Sequence, residues 1–124
     1  MLTGISDLRL ELTLDALFSI LNLKRCESGP RYLAAAIRMS VSDPQHAMKG
    51  MTTWLYPALA KRYQTTATKI ERGIRRTLDA CYSDGKLEAL NRFLGFEYFH
   101  SDYRPTNHEF IAVTADKIAL LTNA

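Results

Sequence analysis

The sequence contains no run of about 18 uncharged apolar residues, the length that a membrane-spanning helix needs. Its first residues also lack the basic region, apolar run and small-residue cleavage site of a secretory signal. Only two cysteines occur, Cys26 and Cys81, and neither has a C-x-x-C partner. These absences argue against a membrane protein and a disulfide framework, and they predict a cytoplasmic protein with two free thiols.

The residue clusters that an active site requires are missing as well. His46, His100 and His108 are spread apart without metal-ligand spacing, and none stands beside a plausible nucleophile. Asp15 and Asp116 are isolated acids, whereas a phosphoacceptor site would need several acids together. We therefore predict no enzymatic activity, no catalytic residues, no metal, no cofactor and no small-molecule substrate.

Signals for β-strands are weak, because alternating β-branched runs bounded by turn residues do not occur. Helical spacing of apolar residues appears along nearly the whole chain instead. The chain contains no repeat and no linker of biased composition, which favours one domain. Its 124 residues are enough to form a buried core. We predict a single all-α domain over residues 1–124 with about six helices, or seven if Gly50 divides the segment that follows Pro44.

Apolar spacing also predicts which face of three helices is buried. Thr106 and Glu109 have the spacing of a capping box at the start of the last helix. The predicted inward residues are Leu10, Leu14, Leu17, Phe18 and Leu21 in the first helix, Leu33, Ile37 and Val41 in the second, and Phe110, Val113, Ile118 and Leu121 in the last.

Positive charge is concentrated in one short stretch. Residues Lys61 to Arg76 carry six basic side chains and the single acid Glu71, a net +5 in a chain whose formal net charge is +3. The rest of the chain is therefore slightly acidic. The pI near 9.0 permits an anionic partner, but the clustering is more informative than the total.

The stretch "ALAKRYQTTATKIERGIRR" predicts two helices joined by three or four residues. Ala60 is small at the point where such helices must cross, and Thr65 or Thr66 can cap the second helix. The predicted inward stripe of the second helix consists of Ala67, Ile70, Ile74 and Leu78. This combination is typical of a helix-turn-helix motif that binds DNA.

The opposite face of that helix, around residues 66–82, carries groups suited to duplex DNA. Arg72 can donate to O6 and N7 of guanine, and Glu71 can accept from N4 of cytosine. By chemistry alone, phosphate contacts suit Thr66, Thr68, Lys69, Arg75 and Arg76. The competing interpretation is a solvated helix face on which Glu71 and Arg75 pair with each other at i,i+4.

Three segments resemble the DNA-binding effector domain of the master response regulator of endospore formation, the sporulation stage-zero transcription factor. They are "LYPALAKRYQTTATKIERGIRR", the helix between Gly85 and Gly95 ending "FLGF", and "RPTNHEFIAVTADKIAL". The last differs little from the family's "KPTN-x-EFIA-x-x-ADK", and "YLAAAIRMSV" is more loosely similar to the family's second helix. The resemblance covers nearly the whole chain and is strongest from Leu55 onward.

This resemblance implies a fold of six helices with a central helix-turn-helix that binds TGTCGAA-type boxes, usually as tandem head-to-tail copies. It places base-reading side chains at Glu71, Arg72 and Arg75, which leaves Thr66, Thr68, Lys69 and Arg76 for phosphates. The last helix aligns with the element used in contacts between protomers. The surface that contacts the sigma factor of RNA polymerase aligns with the helix after Gly85, and here it comprises Lys86, Glu88, Ala89 and Arg92.

Several positions depart from the family pattern. Gly73 stands where alanine is usual, which should cost the helix roughly 0.5–1 kcal/mol. Arg76 stands where histidine is common and adds permanent charge. The segment "KLEALNR" is more charged than its serine-rich counterpart, which weakens the expectation of a polymerase contact. The family's receiver domain has no counterpart in residues 1–124.

We predict a sequence-specific transcription regulator that binds double-stranded DNA. The alternative is a protein-interaction module of the same fold that has lost specific DNA binding and modulates an intact family member or the sigma factor. The two hypotheses differ in whether the protein distinguishes a TGTCGAA-like duplex from a scrambled one.

Overall fold

The computed structural model describes residues 4–48 and 50–122, and helices account for most of them. In chain order they are α1 (Gly4–Ile20), α2 (Ser28–Ser42), α3 (Pro44–Met48), a π-helical segment (Met51–Leu55), α4 (Tyr56–Arg62), α5 (Ala67–Ser83), α6 (Lys86–Leu94) and α7 (Asn107–Thr122). Within these described ranges there is no strand, only an isolated bridge between His100 and Tyr103. The predicted all-α fold is confirmed, with the short α3 as the additional helix.

Helix α2 lies at the centre of the fold and packs against both α5 and α7. Its Ala34, Ala35 and Ala36 are all buried, and their small side chains allow neighbouring helices to approach closely. The inward residues predicted for α1 and α2 are buried, so those two assignments are confirmed. None of the described helices is long and apolar enough to cross a membrane.

The buried face of α7 differs from the predicted one. Leu121 is 48% exposed and Val113 only half-buried, whereas Phe110 and Ile118 are buried as predicted. The buried stripe instead follows i, i+4 spacing and includes two threonines; it consists of Phe110, Ile111, Thr114, Ala115, Ile118 and Thr122. The prediction for Leu121 was wrong because apolar character alone assigned this face.

The approach to α4 is irregular. Gly50 has a φ of 112° and separates α3 from the π-helical segment, as its position in the sequence predicted. The π-helical segment then runs directly into α4, where Pro57 occupies the first turn.

The loop between α6 and α7 is fastened to the rest of the domain by side chains. Asn91 Nδ2 donates to Phe99 O (2.7 Å), and Asn91 Oδ1 accepts from the backbone amides of Tyr98 (3.0 Å) and Phe99 (2.9 Å). The buried Phe99 ring packs on Phe110 with 5.5 Å between the ring centroids. At the end of the loop, the predicted capping box of Thr106 and Glu109 is formed in both directions. The start of α7 is therefore held in a defined place.

Candidate nucleic-acid interface

Helices α4 and α5 are joined by the four residues 63–66, which form a tight turn. The Thr65 amide donates to Ala60 O (2.9 Å) and the Gln64 amide to Lys61 O (3.4 Å), the pattern of a Schellman motif. Gln64 has a φ of 53°, the left-handed conformation that this motif requires at its turning residue. Thr66 caps α5 by accepting from the Lys69 amide at 3.2 Å. The cap is thus Thr66, one of the two threonines predicted for it.

Helix α5 has two distinct faces. Ile70, Ile74 and Leu78 are buried in the core, as predicted, and Ala67 is half-buried. The predicted phosphate-contacting and base-reading residues lie away from the core: Thr66, Thr68, Lys69, Arg72, Arg75 and Arg76 are exposed, and Glu71 is half-buried. Folding therefore brings the predicted DNA-contacting side chains onto one helix.

The positive charge of this face is not neutralised by ion pairs within the described part of the chain. Among the described residues, no ion pair joins Glu71 to Arg75, and none engages Lys69, Arg72 or Arg76. The ion pairs formed by other arginines hold the fold together, for example between Arg38 and Glu11 at 2.8 Å. The arrangement favours a basic face open to a polyanion over an internally paired surface.

A buried asparagine supports this face from behind. Asn107, the first residue of α7, is only 5% exposed. Its Nδ2 donates to Tyr56 Oη (3.2 Å) in α4 and to the Glu71 backbone oxygen (3.2 Å) in α5. Burial raises the pKa of Tyr56, which keeps its phenol protonated. A single amide group thus ties both helices of the helix-turn-helix to α7, a role that sequence reasoning missed because the partners lie far apart in the chain.

A close crossing of α2 and α5 brings Gly29 and Gly73 together. A Cβ added at Gly73 would lie 3.1 Å from the ring of Tyr32. At Gly29, on the other side of the crossing, an added Cβ would overlap Thr77 Oγ1 and lie 2.9 Å from the Gly73 carbonyl oxygen. The two glycines allow α2 to pack directly on α5, at the cost of some helix propensity at Gly73.

The residues predicted to contact polymerase belong to α6. Glu88, Ala89 and Arg92 are exposed and line a groove of about 740 Å³ between α6 and the loop that follows it. Lys86 is half-buried at the start of α6 and does not line this groove. Three of the four predicted residues are therefore brought together on one surface.

A tight turn, a capped second helix and an unpaired basic face together define a DNA-binding domain of the helix-turn-helix class. The family model described as the sporulation initiation factor Spo0A C terminal matches residues 16–118, which include both helices of the motif. The chain belongs to this family of DNA-binding regulatory domains, and the resemblance found in the sequence is confirmed.

Proposed function

We propose that this domain recognises TGTCGAA-like boxes in double-stranded DNA by placing α5 in the major groove. The observation that carries the DNA contact is the exposed basic face of α5, whose cations have no acidic partner among the described residues; the box sequence is what the family resemblance implies. The buried stripe of Ile70, Ile74 and Leu78 fixes the opposite side of the helix to the core. Transcription regulation then follows from where the domain sits on a promoter.

Within this proposal, the side chains divide into base-reading and phosphate-contacting groups. Glu71, Arg72 and Arg75 read bases: a carboxylate accepts from cytosine N4 and a guanidinium donates to guanine, and Arg75 is assigned to a base by the family resemblance. Phosphates are contacted by Thr66, Thr68, Lys69 and Arg76. Thr66 can cap α5 and contact a phosphate at the same time. Its oxygen accepts from the Lys69 amide, while its hydroxyl hydrogen remains available to a phosphate oxygen.

The decisive experiment is a titration of labelled duplexes at several salt concentrations. Binding to a TGTCGAA-like duplex is expected in the nanomolar-to-micromolar range, with a log–log salt slope of roughly −4 to −5 for about five neutralised phosphates. A scrambled duplex of equal length should bind more weakly at every salt concentration. Equal affinity for both duplexes would contradict specific recognition and favour the protein-interaction alternative.

A polymerase contact is the first finer part of the proposal. The groove lined by Glu88, Ala89 and Arg92 supports it, because these exposed residues belong to α6 and lie outside the DNA-contacting helix. Replacing Arg92 with alanine should lower activated transcription in a purified system while leaving affinity for the duplex unchanged. Unchanged transcription would exclude this surface as the contact.

Tandem binding is the second finer part. Leu120 and Leu121, near the end of α7, are 62% and 48% exposed, which is unusual for adjacent leucines and supports a contact between copies on DNA. Replacing Leu121 with serine should abolish cooperative binding to two adjacent boxes without weakening binding to one box. Cooperativity that survives this change would remove α7 from the contact.

A further inference from the structure

Two arginines from different helices contact the ring of Tyr63, which lies in the turn between α4 and α5. The guanidinium of Arg31, in α2, lies 5.2 Å from the ring centroid of Tyr63, and that of Arg62, in α4, lies 5.5 Å from it. Both arginines are exposed, and neither joins an acid in any ion pair of the described chain. We call Arg31, Arg62 and Tyr63 the arginine ledge.

The arginine ledge is connected to α5 by side-chain packing. The Tyr63 ring contacts the Tyr32 ring, with 5.3 Å between their centroids. Tyr32 in turn lies beside Gly73 of α5, and the two residues line a groove of about 590 Å³ together with Lys69 and Arg76. The basic surface therefore extends from α5 across Tyr32 to residues of α2 and α4.

Cation–π contact suits these arginines to a phosphodiester partner. A guanidinium that packs its face or stem on a ring keeps N–H donors at its edge, and that edge matches the oxygens of a phosphate. Holding two like charges near one ring is unfavourable in the free protein, and a polyanion relieves it. Glu27 also lines the groove, but no ion pair connects it to a described cation.

We propose that the arginine ledge binds the DNA backbone at phosphates flanking the box that α5 reads. The inference rests on the proposed function, because it requires α5 to sit in the major groove. The residues before the recognition helix of a helix-turn-helix then meet the strand at the groove edge. The ledge adds affinity for any duplex long enough to reach it and adds no base discrimination.

The test compares Arg31→Gln, Arg62→Gln and the double variant with Arg104→Gln. Arg104 is a matched control, because it is equally an exposed arginine but pairs with Asp79 at 3.4 Å. On a duplex extended beyond the box, each single ledge variant should bind roughly five- to tenfold more weakly, with a salt slope smaller by about 0.9, and the double variant should lose more affinity, with a slope smaller by about 1.8. The loss should be equal for box and scrambled sequences. Arg104→Gln should bind like the wild type, and thermal melting should show all variants folded.

Two further measurements locate the contact. Trimming the duplex to the box alone should make the wild type and Arg31→Gln bind equally, and so should a neutral methylphosphonate at the contacted flanking position. Tyr63→Phe keeps the ring and should bind normally, whereas Tyr63→Leu should reproduce the loss seen in the double variant.

The outcomes separate the two hypotheses. Unchanged affinity and salt slope in Arg31→Gln and Arg62→Gln would overturn the ledge even if the wild type recognises the box. A loss that persists on the trimmed duplex would overturn the flanking position. If the wild type binds box and scrambled duplexes equally while the ledge variants lose affinity, specific recognition fails and the backbone contact stands. Absence of any DNA binding would overturn both.

Discussion

At the scale of single residues, the interface depends on side chains that the fold leaves without internal partners. Lys69 and Arg72 are both exposed on α5, three positions apart, and neither is paired with an acid in the described structure. They are nevertheless assigned different tasks, phosphate contact and base reading. Their substitutions should therefore have distinguishable effects.

Arg72→Ala should lose roughly 1–3 kcal/mol of discrimination at one guanine of the box, because a bidentate contact to O6 and N7 disappears. Lys69→Ala should weaken box and scrambled duplexes about equally and reduce the salt slope by about 1. Competition binding against duplexes with single base changes measures both effects. Sequence preference that survives in Arg72→Ala would show that the base-reading assignment is wrong.

Asn107→Ala should lower the free energy of unfolding by about 1–3 kcal/mol, because it leaves the buried Tyr56 hydroxyl without its asparagine partner and removes the second hydrogen bond to Glu71 O. It should also reduce the ratio of box to scrambled affinity, since α5 loses its anchor beside the residues that we propose read bases. Tyr56→Phe, which removes only one acceptor, is the matched variant and should reduce the ratio less. Urea unfolding measures the loss of stability, and duplex titration measures the affinity ratio. An unchanged ratio in Asn107→Ala would show that Asn107 contributes to stability and not to sequence recognition.

The exposed residues of α5 could be predicted from sequence because they follow from helical spacing and one apolar stripe. The role of Asn107 could not, since its partner Tyr56 lies 51 positions away and Glu71 contributes a backbone atom that has no sequence signature. The arginine ledge was missed for a similar reason. Arg31 belongs to a different helix, and only the packing of α2 on α5 brings it to the turn.

At the scale of helices, the α2–α5 crossing helps to fix the position of α5 against the core. Gly29→Ala should destabilise the domain by about 1–3 kcal/mol, because the new methyl meets Thr77 Oγ1 and a backbone oxygen that cannot easily move. Gly73→Ala should change stability by less than about 1 kcal/mol, since the helix propensity gained offsets a small displacement of the Tyr32 ring. Urea unfolding followed by circular dichroism compares the two variants. Equal stability of Gly29→Ala and the wild type would refute the tight crossing.

Helix existence was predictable from sequence, but one buried face was not. In α7, Thr114 and Thr122 are buried, although hydropathy assigns threonine to neither face. Thr122 Oγ1 donates a hydrogen bond to Ile118 O at 2.9 Å, and this local bond allows the hydroxyl to be buried. The π-helical segment before α4 could not be predicted either, because no residue pattern distinguishes it from an α-helical turn.

At the scale of the whole molecule, two carboxylates link stability to pH. Hydrogen bonds and charge from Arg38 and Arg25 lower the pKa of Glu11, which fastens α1 to α2. The Thr106 backbone amide and the Tyr103 hydroxyl lower the pKa of Glu109 at the start of α7. A lowered folded-state pKa stabilises the fold above the unfolded value near 4.5, and this contribution is lost as the pH falls through the folded-state value.

Thermal stability should therefore be roughly constant just above pH 5 and fall progressively below about pH 4.5. Glu11→Gln should be less stable than the wild type at neutral pH and lose less on acidification, because it no longer has this proton to bind. Melting curves recorded at stepped pH provide the comparison. Parallel pH profiles for the two proteins would mean that Glu11 does not contribute to the linkage.

The unpaired basic face of α5 affects the stability of the free domain. Cations crowded on α5 and around Tyr63 repel one another when no polyanion is present, so the surface suited to DNA opposes folding in isolation. DNA that binds only the folded chain adds RT ln(1 + [DNA]/Kd) to its stability. DNA therefore acts as a folding ligand, and the domain is most stable, and best protected from proteolysis, while it is bound to DNA.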